Sequence, residues 1–199
     1  MTSGTDPTPL SITNHTKSVG TPSPPRRVAS SVLLQDGGGS ATSYLDIPNL
    51  LSDLAIPGLS SPYLKNPEEY KCGVTGMASA FITEIKRRQP HGPYLLAGWS
   101  AGGVIAFEVV NQLTKCGENI EKLILIDSLC PDIIEPLPSP LHAWFASIGL
   151  LGDSDSTKIP PWLLPHFAAS VNALSNYTAE KIDSQKCPDV TAIWCKDGI

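Results

Sequence analysis

The chain has 199 residues, 41% of them hydrophobic, with a net charge of −5. That size suits one domain with an appended tail, and the negative balance argues against nucleic acid or an anionic membrane as partner. No apolar stretch reaches the 18 residues of a membrane span, and the polar amino terminus carries no secretory signal. Five cysteines, odd in number and without C-x-x-C spacing, read as reduced thiols in a cytoplasmic protein and not as a disulfide frame or zinc site.

Residues 1–27 are rich in Ser, Thr, Pro and Gly and end in Pro24-Pro25-Arg26-Arg27. Such a composition buries little apolar surface and reads as a disordered linker. Val28 to Gln35 is β-branched and apolar, a first strand running straight into Asp36-Gly37-Gly38-Gly39-Ser40. Glycines there either let backbone N–H groups approach a ligand or make an ordinary turn. Pro48, Pro57, Pro62 and Pro67 break up residues 41–72, leaving room for a short helix at Asp46–Leu54. Val74 to Arg88 has helical spacing, with Met77, Phe81 and Ile85 four residues apart.

Tyr94 to Trp99 is an apolar strand that passes directly into Gly98-Trp99-Ser100-Ala101-Gly102, and a helix over Gly103–Cys116 follows, closed by Gly117. Strand, Gly-x-Ser-x-Gly and helix in succession predict a nucleophile elbow with Ser100 at its apex. Leu123 to Ile126 is a second fully apolar strand and ends in Asp127. Apolar strands alternating with helices predict a buried parallel sheet and an α/β fold. After Asp127, prolines at 131, 136, 138 and 140 precede two bulky amphipathic helices. One carries Leu141, Trp144, Phe145, Ile148 and Leu151, the other Leu163, Leu164, Phe167, Val171 and Leu174. They form either a lid over an apolar pocket, spanning about 132–186, or a completion of the core. Val190 to Cys195 is a last strand.

Acyl transfer by serine requires a nucleophile, a base, an acid that orients the base, and an oxyanion hole. Ser100 is the candidate nucleophile. Asp127, at the end of the next strand, is the candidate acid, although a strand-end carboxylate also serves as a surface or capping residue. The backbone N–H of Ala101, at the start of a helix, is a candidate oxyanion donor. The histidine is the difficulty, since only His15, His91, His142 and His166 occur. His15 lies in the linker, and His91 precedes the elbow strand and falls at the opposite sheet edge. His142 and His166 satisfy the order Ser–Asp–His, but sit in the lid helices, where they line the pocket or face solvent.

Four motifs together are more specific than the elbow. They are Asp-Gly-Gly-Gly-Ser-Ala-Thr-Ser-Tyr (36–44), Arg-Arg-Gln-Pro-His-Gly-Pro-Tyr (87–94), Gly-Trp-Ser-Ala-Gly-Gly (98–103) and Leu-Ile-Leu-Ile-Asp (123–127). With Ile-Gly-Leu (148–150) and Pro-His-Phe (165–167), they resemble the thioesterase/Claisen-cyclase domain of fungal non-reducing iterative polyketide synthases over residues 26–199. The resemblance implies an α/β-hydrolase fold with a helical lid over 28–199. It implies a polyketide delivered on the phosphopantetheine of an acyl-carrier protein, an acyl-Ser100 intermediate, and release by water or by an internal carbanion. No bound cofactor or metal is implied. Asp127 carries over as acid, Ala101 and Gly37-Gly38 as oxyanion donors, and Trp144, Phe145, Ile148 and Phe167 as pocket residues. Two departures stand out: Gln35 abuts Asp36, where family members are expected to have a further strand, and the carboxy-terminal segment bearing the family histidine is not in the sequence. The chain is therefore expected to be an incomplete domain with little turnover. A non-catalytic module that holds acyl or carrier chains and a general serine esterase are the competing readings.

Overall fold

The computed structural model describes residues 12–13, 31–45, 47, 56–132, 138, 140–141, 144, 147 and 160–196. Six strands form one sheet: β1 (Ile12–Thr13), β2 (Ser31–Leu34), β3 (Gly58–Leu59), β4 (Tyr94–Trp99), β5 (Ile120–Ile126) and β6 (Asp189–Ile193). Their spatial order is β1-β3-β2-β4-β5-β6, with every pairing parallel except that of β1 with β3. Helices α1 (Gly73–Arg88), α2 (Ala101–Lys115) and α3 (Leu163–Ser175) accompany them. The strands read from the sequence and the helices read at 74–88, 103–116 and 163–174 are present with ends shifted by a few residues, because capping and pairing decide where an element stops. Most of the helix read over Leu141–Leu151 lies outside the described residues.

Side chains alternate across the sheet and create two cores of unequal size. Val32, Leu34, Leu59, Tyr94, Leu96 and Leu123 meet the apolar stripes of α1 (Val74, Met77, Phe81, Ile85) and α2 (Val104, Ile105, Val109, Leu113). On the opposite face Leu33 and Ala97 pack with Ala41 and Tyr44. Because α2 lies between the sheet and its neighbours α1 and α3, it is buried nearly all round, polar Glu108, Asn111 and Thr114 included. Glu108 is satisfied there by Tyr177, whose hydroxyl donates at 2.6 Å, and by Gln112 Nε2 at 2.8 Å.

Three expectations change. Ile12–Thr13, inside the stretch read as linker, pairs antiparallel with β3. The gap expected beside the oxyanion loop is closed: β2 is paired on both edges, to β3 and β4, and enters the loop directly. The second helix read as lid belongs partly to the core, since Ala173 and Leu174 join the main cluster. The prediction of a helix at Asp46–Leu54 lies outside the described residues. β6 is paired with β5 and is exposed along its whole length. Among the described residues no helix is long and apolar enough to cross a membrane.

The sheet and α2 approach too closely for a side chain at one point. A Cβ on Gly102 would stand 1.9 Å from the carbonyl oxygen of Gln35, a backbone atom that cannot swing away. Gly73, by contrast, has φ +65 and open space around it. Gly102→Ala is therefore expected to cost at least ~3 kcal/mol in denaturant unfolding, and Gly73→Ala about 1–2 kcal/mol from backbone strain alone.

Candidate active site

The site is built on the parallel register of β4 and β5. Trp99 pairs with Ile126, so the next residue on each strand, Ser100 and Asp127, leaves the sheet at the same edge. The Ser100 N–H donates to the Ile126 carbonyl at 2.9 Å and fixes that exit. Ser100 itself has φ 54 and ψ −123, a conformation that costs a non-glycine residue about 1–3 kcal/mol and persists only where surroundings enforce it. Gly98 and Gly102 provide the enforcement, since a Cβ on Gly98 would lie 2.2 Å from the Gly102 carbonyl oxygen. Gly103, outside the pentapeptide signature, is equally constrained: its Cβ would lie 2.2 Å from Ser128 Oγ. Ser100 stands at the N-cap of α2, yet its side chain makes no capping hydrogen bond.

Asp127 also has positive φ, at 42. Its N–H donates to the Ile193 carbonyl at 2.8 Å, and its Oδ1 accepts the N–H of Cys195 at 2.5 Å. The segment after β6 thus holds the carboxylate, a role for Cys195 that no sequence motif signals. Its backbone N–H does the work, and any residue but proline supplies one.

The glycine loop is tied down at both ends. Asp36 accepts the Ser40 N–H at 3.2 Å and the Ser43 hydroxyl, and its own N–H donates to Ser40 O at 2.8 Å. Burial nevertheless raises the Asp36 carboxyl above its usual range, with those hydrogen bonds opposing the shift. The loop turns back across α2, so that a Cβ on Gly37 would be 3.8 Å from that of Ala101. Gly38 turns toward the Asp36 carboxylate, whose Oδ1 would lie 3.2 Å from its Cβ. The backbone N–H groups of Gly38 and Gly39 also face that carboxylate, and the N–H of Ala101, first in α2, has no intrahelical acceptor. Phe167 lies over Gly37, with Cε2 3.3 Å from the position of a Gly37 Cβ.

Tyr44 joins loop strand and elbow strand. It is buried, donates its hydroxyl to Leu34 O at 2.7 Å and accepts the Trp99 N–H at 2.8 Å. Burial raises its pKa well beyond the usual tyrosine value, which keeps the donor proton in place. Nothing in periodicity distinguishes this tyrosine from a core aromatic, and only its place in the 36–44 motif marks it.

The described histidines stay away from the elbow. His91 is exposed at the start of β4, 3.8 Å from Glu118. His166, expected to line a pocket or face solvent, does neither. It is fully buried in α3, stacked on Tyr70 at 5.6 Å, with Nδ1 3.3 Å from Ser170 Oγ. Its Nε2 is buried without a hydrogen-bond partner. Burial pulls the imidazole down from 6.5 to about 4, against smaller upward pulls from the backbone of Gly37 and of His166 itself. His15, His142, Phe145 and Ile148 lie outside the described residues. Trp144 is 52% exposed.

A thioesterase-domain family model matches residues 32–188, which takes in the glycine loop, elbow, acid and α3. The chain belongs to the thioesterase family. This thioesterase chain is 61% identical over 192 residues to the conidial pigment polyketide synthase PfmaE of Pestalotiopsis fici, a match over 88% of this chain and 9% of that protein. It is 47% identical over 167 residues to the non-reducing polyketide synthase terA of Aspergillus terreus, over 84% of this chain and 8% of that one. It thus spans less than a tenth of the length of either relative. Two solved structures share the fold. The NocB thioesterase domain, in covalent complex with a fluorophosphonate nocardicin G analogue, has a TM-score of 0.71 at 23% identity and 84% coverage of both chains. The type II thioesterase BorB from the borrelidin cluster has a TM-score of 0.73 at 18% identity, covering 94% of this chain and 78% of that one. The α/β fold read from the alternation of strands and helices, and the α/β-hydrolase architecture that the resemblance implied, are shared with these thioesterases.

Two measurements probe the thioesterase site's supports. Tyr44→Phe strands a buried carbonyl and N–H, and is expected to cost about 1–3 kcal/mol in chemical denaturation. His166 has a folded pKa below its unfolded one, so the unfolded chain binds more protons between 6.5 and about 4. Stability should accordingly fall as pH drops through that window, by up to about 3 kcal/mol at the acid end. His166→Asn should remove that component, which pH-dependent unfolding curves of the two proteins would reveal.

Proposed function

We propose that this thioesterase domain releases a polyketide from an acyl-carrier protein through an acyl-Ser100 intermediate. The observation that carries the reading is the joint exit of Ser100 and Asp127 from neighbouring strands beside the Gly37 and Ala101 N–H groups. Ser100 Oγ attacks the thioester carbonyl, and the developing oxyanion lies between those two N–H donors. Collapse breaks the C–S bond, forms the Ser100 ester and passes the hydroxyl proton to the departing phosphopantetheine sulfur. Release then follows one of two routes. Attack by water breaks the ester and gives an acid. Attack by a carbanion of the chain, its proton having gone to a base, forms a C–C bond and closes a ring. Either route returns a proton to Ser100. The substrate class comes from the polyketide synthases that the chain matches, and it is why a general serine esterase is the weaker reading.

A second reading has its own observation. Asp127 orients no imidazole among the described residues: its Oδ1 is held by the Cys195 N–H, and neither His91 nor His166 hydrogen-bonds Ser100 or Asp127. In serine hydrolases, loss of the histidine lowers turnover ~10⁶-fold, or roughly 8 kcal/mol of barrier. Preserved oxyanion donors leave ~10³-fold over water. We infer that this chain by itself acylates slowly and turns over little, holding acyl chains more than it processes them.

A fluorophosphonate probe separates the readings. Ser100 is expected to be phosphonylated, and Ser100→Ala to abolish the label, whereas release from a polyketide-like thioester stays near background. Rapid multiple turnover would overturn the second reading. A folded protein whose Ser100 never labels would overturn the first.

A further inference from the structure

Three consecutive glycines of the oxyanion loop each face one side chain of α3. A Cβ on Gly37 would stand 3.3 Å from Phe167 Cε2, one on Gly38 2.6 Å from Leu163 Cδ1, and one on Gly39 2.4 Å from His166 Cε1. Leu163, His166, Phe167, Ser170, Ala173 and Leu174 recur at three- and four-residue spacing and form one stripe along the helix. The carboxy-terminal end of that stripe is anchored, because Ala173 and Leu174 are buried in the main core. Its amino-terminal end is therefore carried out over the loop on a rigid element. His166 is the tightest contact: fully buried between Gly39 and Tyr70, with Ser170 on its Nδ1. On the other side the Gly39 N–H donates to the Asp36 carbonyl at 3.0 Å, and its own carbonyl accepts the Ser61 N–H at 2.8 Å.

We propose that α3 and the Gly37–Gly39 loop move as one body, with His166 as the residue that positions the loop, so that the oxyanion hole is assembled only while α3 is seated. This rests on the reading of the Gly37 N–H as an oxyanion donor. Hydrogen bonds of Asp36, Gly39 and Ser40 tie the loop at its ends, but glycines have no side chains with which to orient the Gly37 N–H, and their conformational freedom is large. The helix supplies the missing side chains from outside. Displacing α3 removes a side-chain contact from each of the three glycines at once and takes Phe167 away from Gly37. Movement of the second lid helix, by an incoming acyl chain or carrier, thereby couples to the donor geometry that a transition state requires.

Amide hydrogen exchange on the whole chain tests the coupling without relying on activity. His166→Ala should raise exchange at residues 36–40 and at 163–170 together, by roughly tenfold or more, and leave 94–113 unchanged. Gly38→Ala, which drives a methyl into Leu163, should loosen α3 from the loop side, and adding Leu163→Ala should restore protection at both segments. Faster exchange confined to α3 in His166→Ala, or to the loop in Gly38→Ala, would overturn the proposal. Fluorophosphonate kinetics give the functional half. The saturating labelling rate should fall at least tenfold in Gly38→Ala and recover in the double variant, with half-saturating probe concentration unchanged. A wild-type protein that fails to label contradicts the reading of Ser100, and the exchange result still decides the coupling.

Discussion

Close backbone contact at the elbow is the constraint on which the rest of the structure depends. The end of β2, the turn at Ser100 and the first turn of α2 meet with no space for a Cβ at Gly98, Gly102 or Gly103. That contact holds Ser100 at φ 54, aims its N–H at the Ile126 carbonyl and brings Ala101 beside Gly37. The strain at Ser100 persists because relaxing it would separate β4 from α2, and α2 is the most deeply buried helix of the fold. Stability of the core and geometry of the nucleophile are in this sense one requirement.

Around the elbow the polar groups divide into those that fix geometry and those left free to act. Tyr44 occupies the Leu34 carbonyl and the Trp99 N–H, Asp36 occupies the Ser40 N–H and the Ser43 hydroxyl, and the Cys195 N–H occupies Asp127. The Ser100 hydroxyl makes no capping bond to α2, and it is the group proposed to act. The arrangement suits the acyl transfer proposed for Ser100.

Much of this was legible in the residues. Strand, Gly-x-Ser-x-Gly and helix in immediate succession have few solutions, and an apolar strand ending in Asp127 puts a carboxylate on the same sheet edge. Long-range contacts were not legible. Gly103 matters because of Ser128, and Tyr44 because of Trp99, pairs whose proximity only the fold creates. His166 shows the limit best. Its helical spacing with Leu163 and Phe167 was visible, but a lid position suggested a pocket or solvent, and the glycines that receive its ring lie more than a hundred residues away. Ile12–Thr13 were hidden by the disorder-prone composition around them, and pairing with β3 overrides that local preference.

The central claim is that Ser100 accepts an acyl group from a thioester. Intact-protein mass spectrometry with a short polyketide-like thioester of a pantetheine mimic tests it most directly. The account predicts a slowly accumulating, long-lived mass increase equal to the acyl group, mapped by peptide digestion to Ser100 and lost in Ser100→Ala. An adduct on one of the exposed cysteines in place of Ser100, or thioester cleavage that persists in Ser100→Ala, would contradict it.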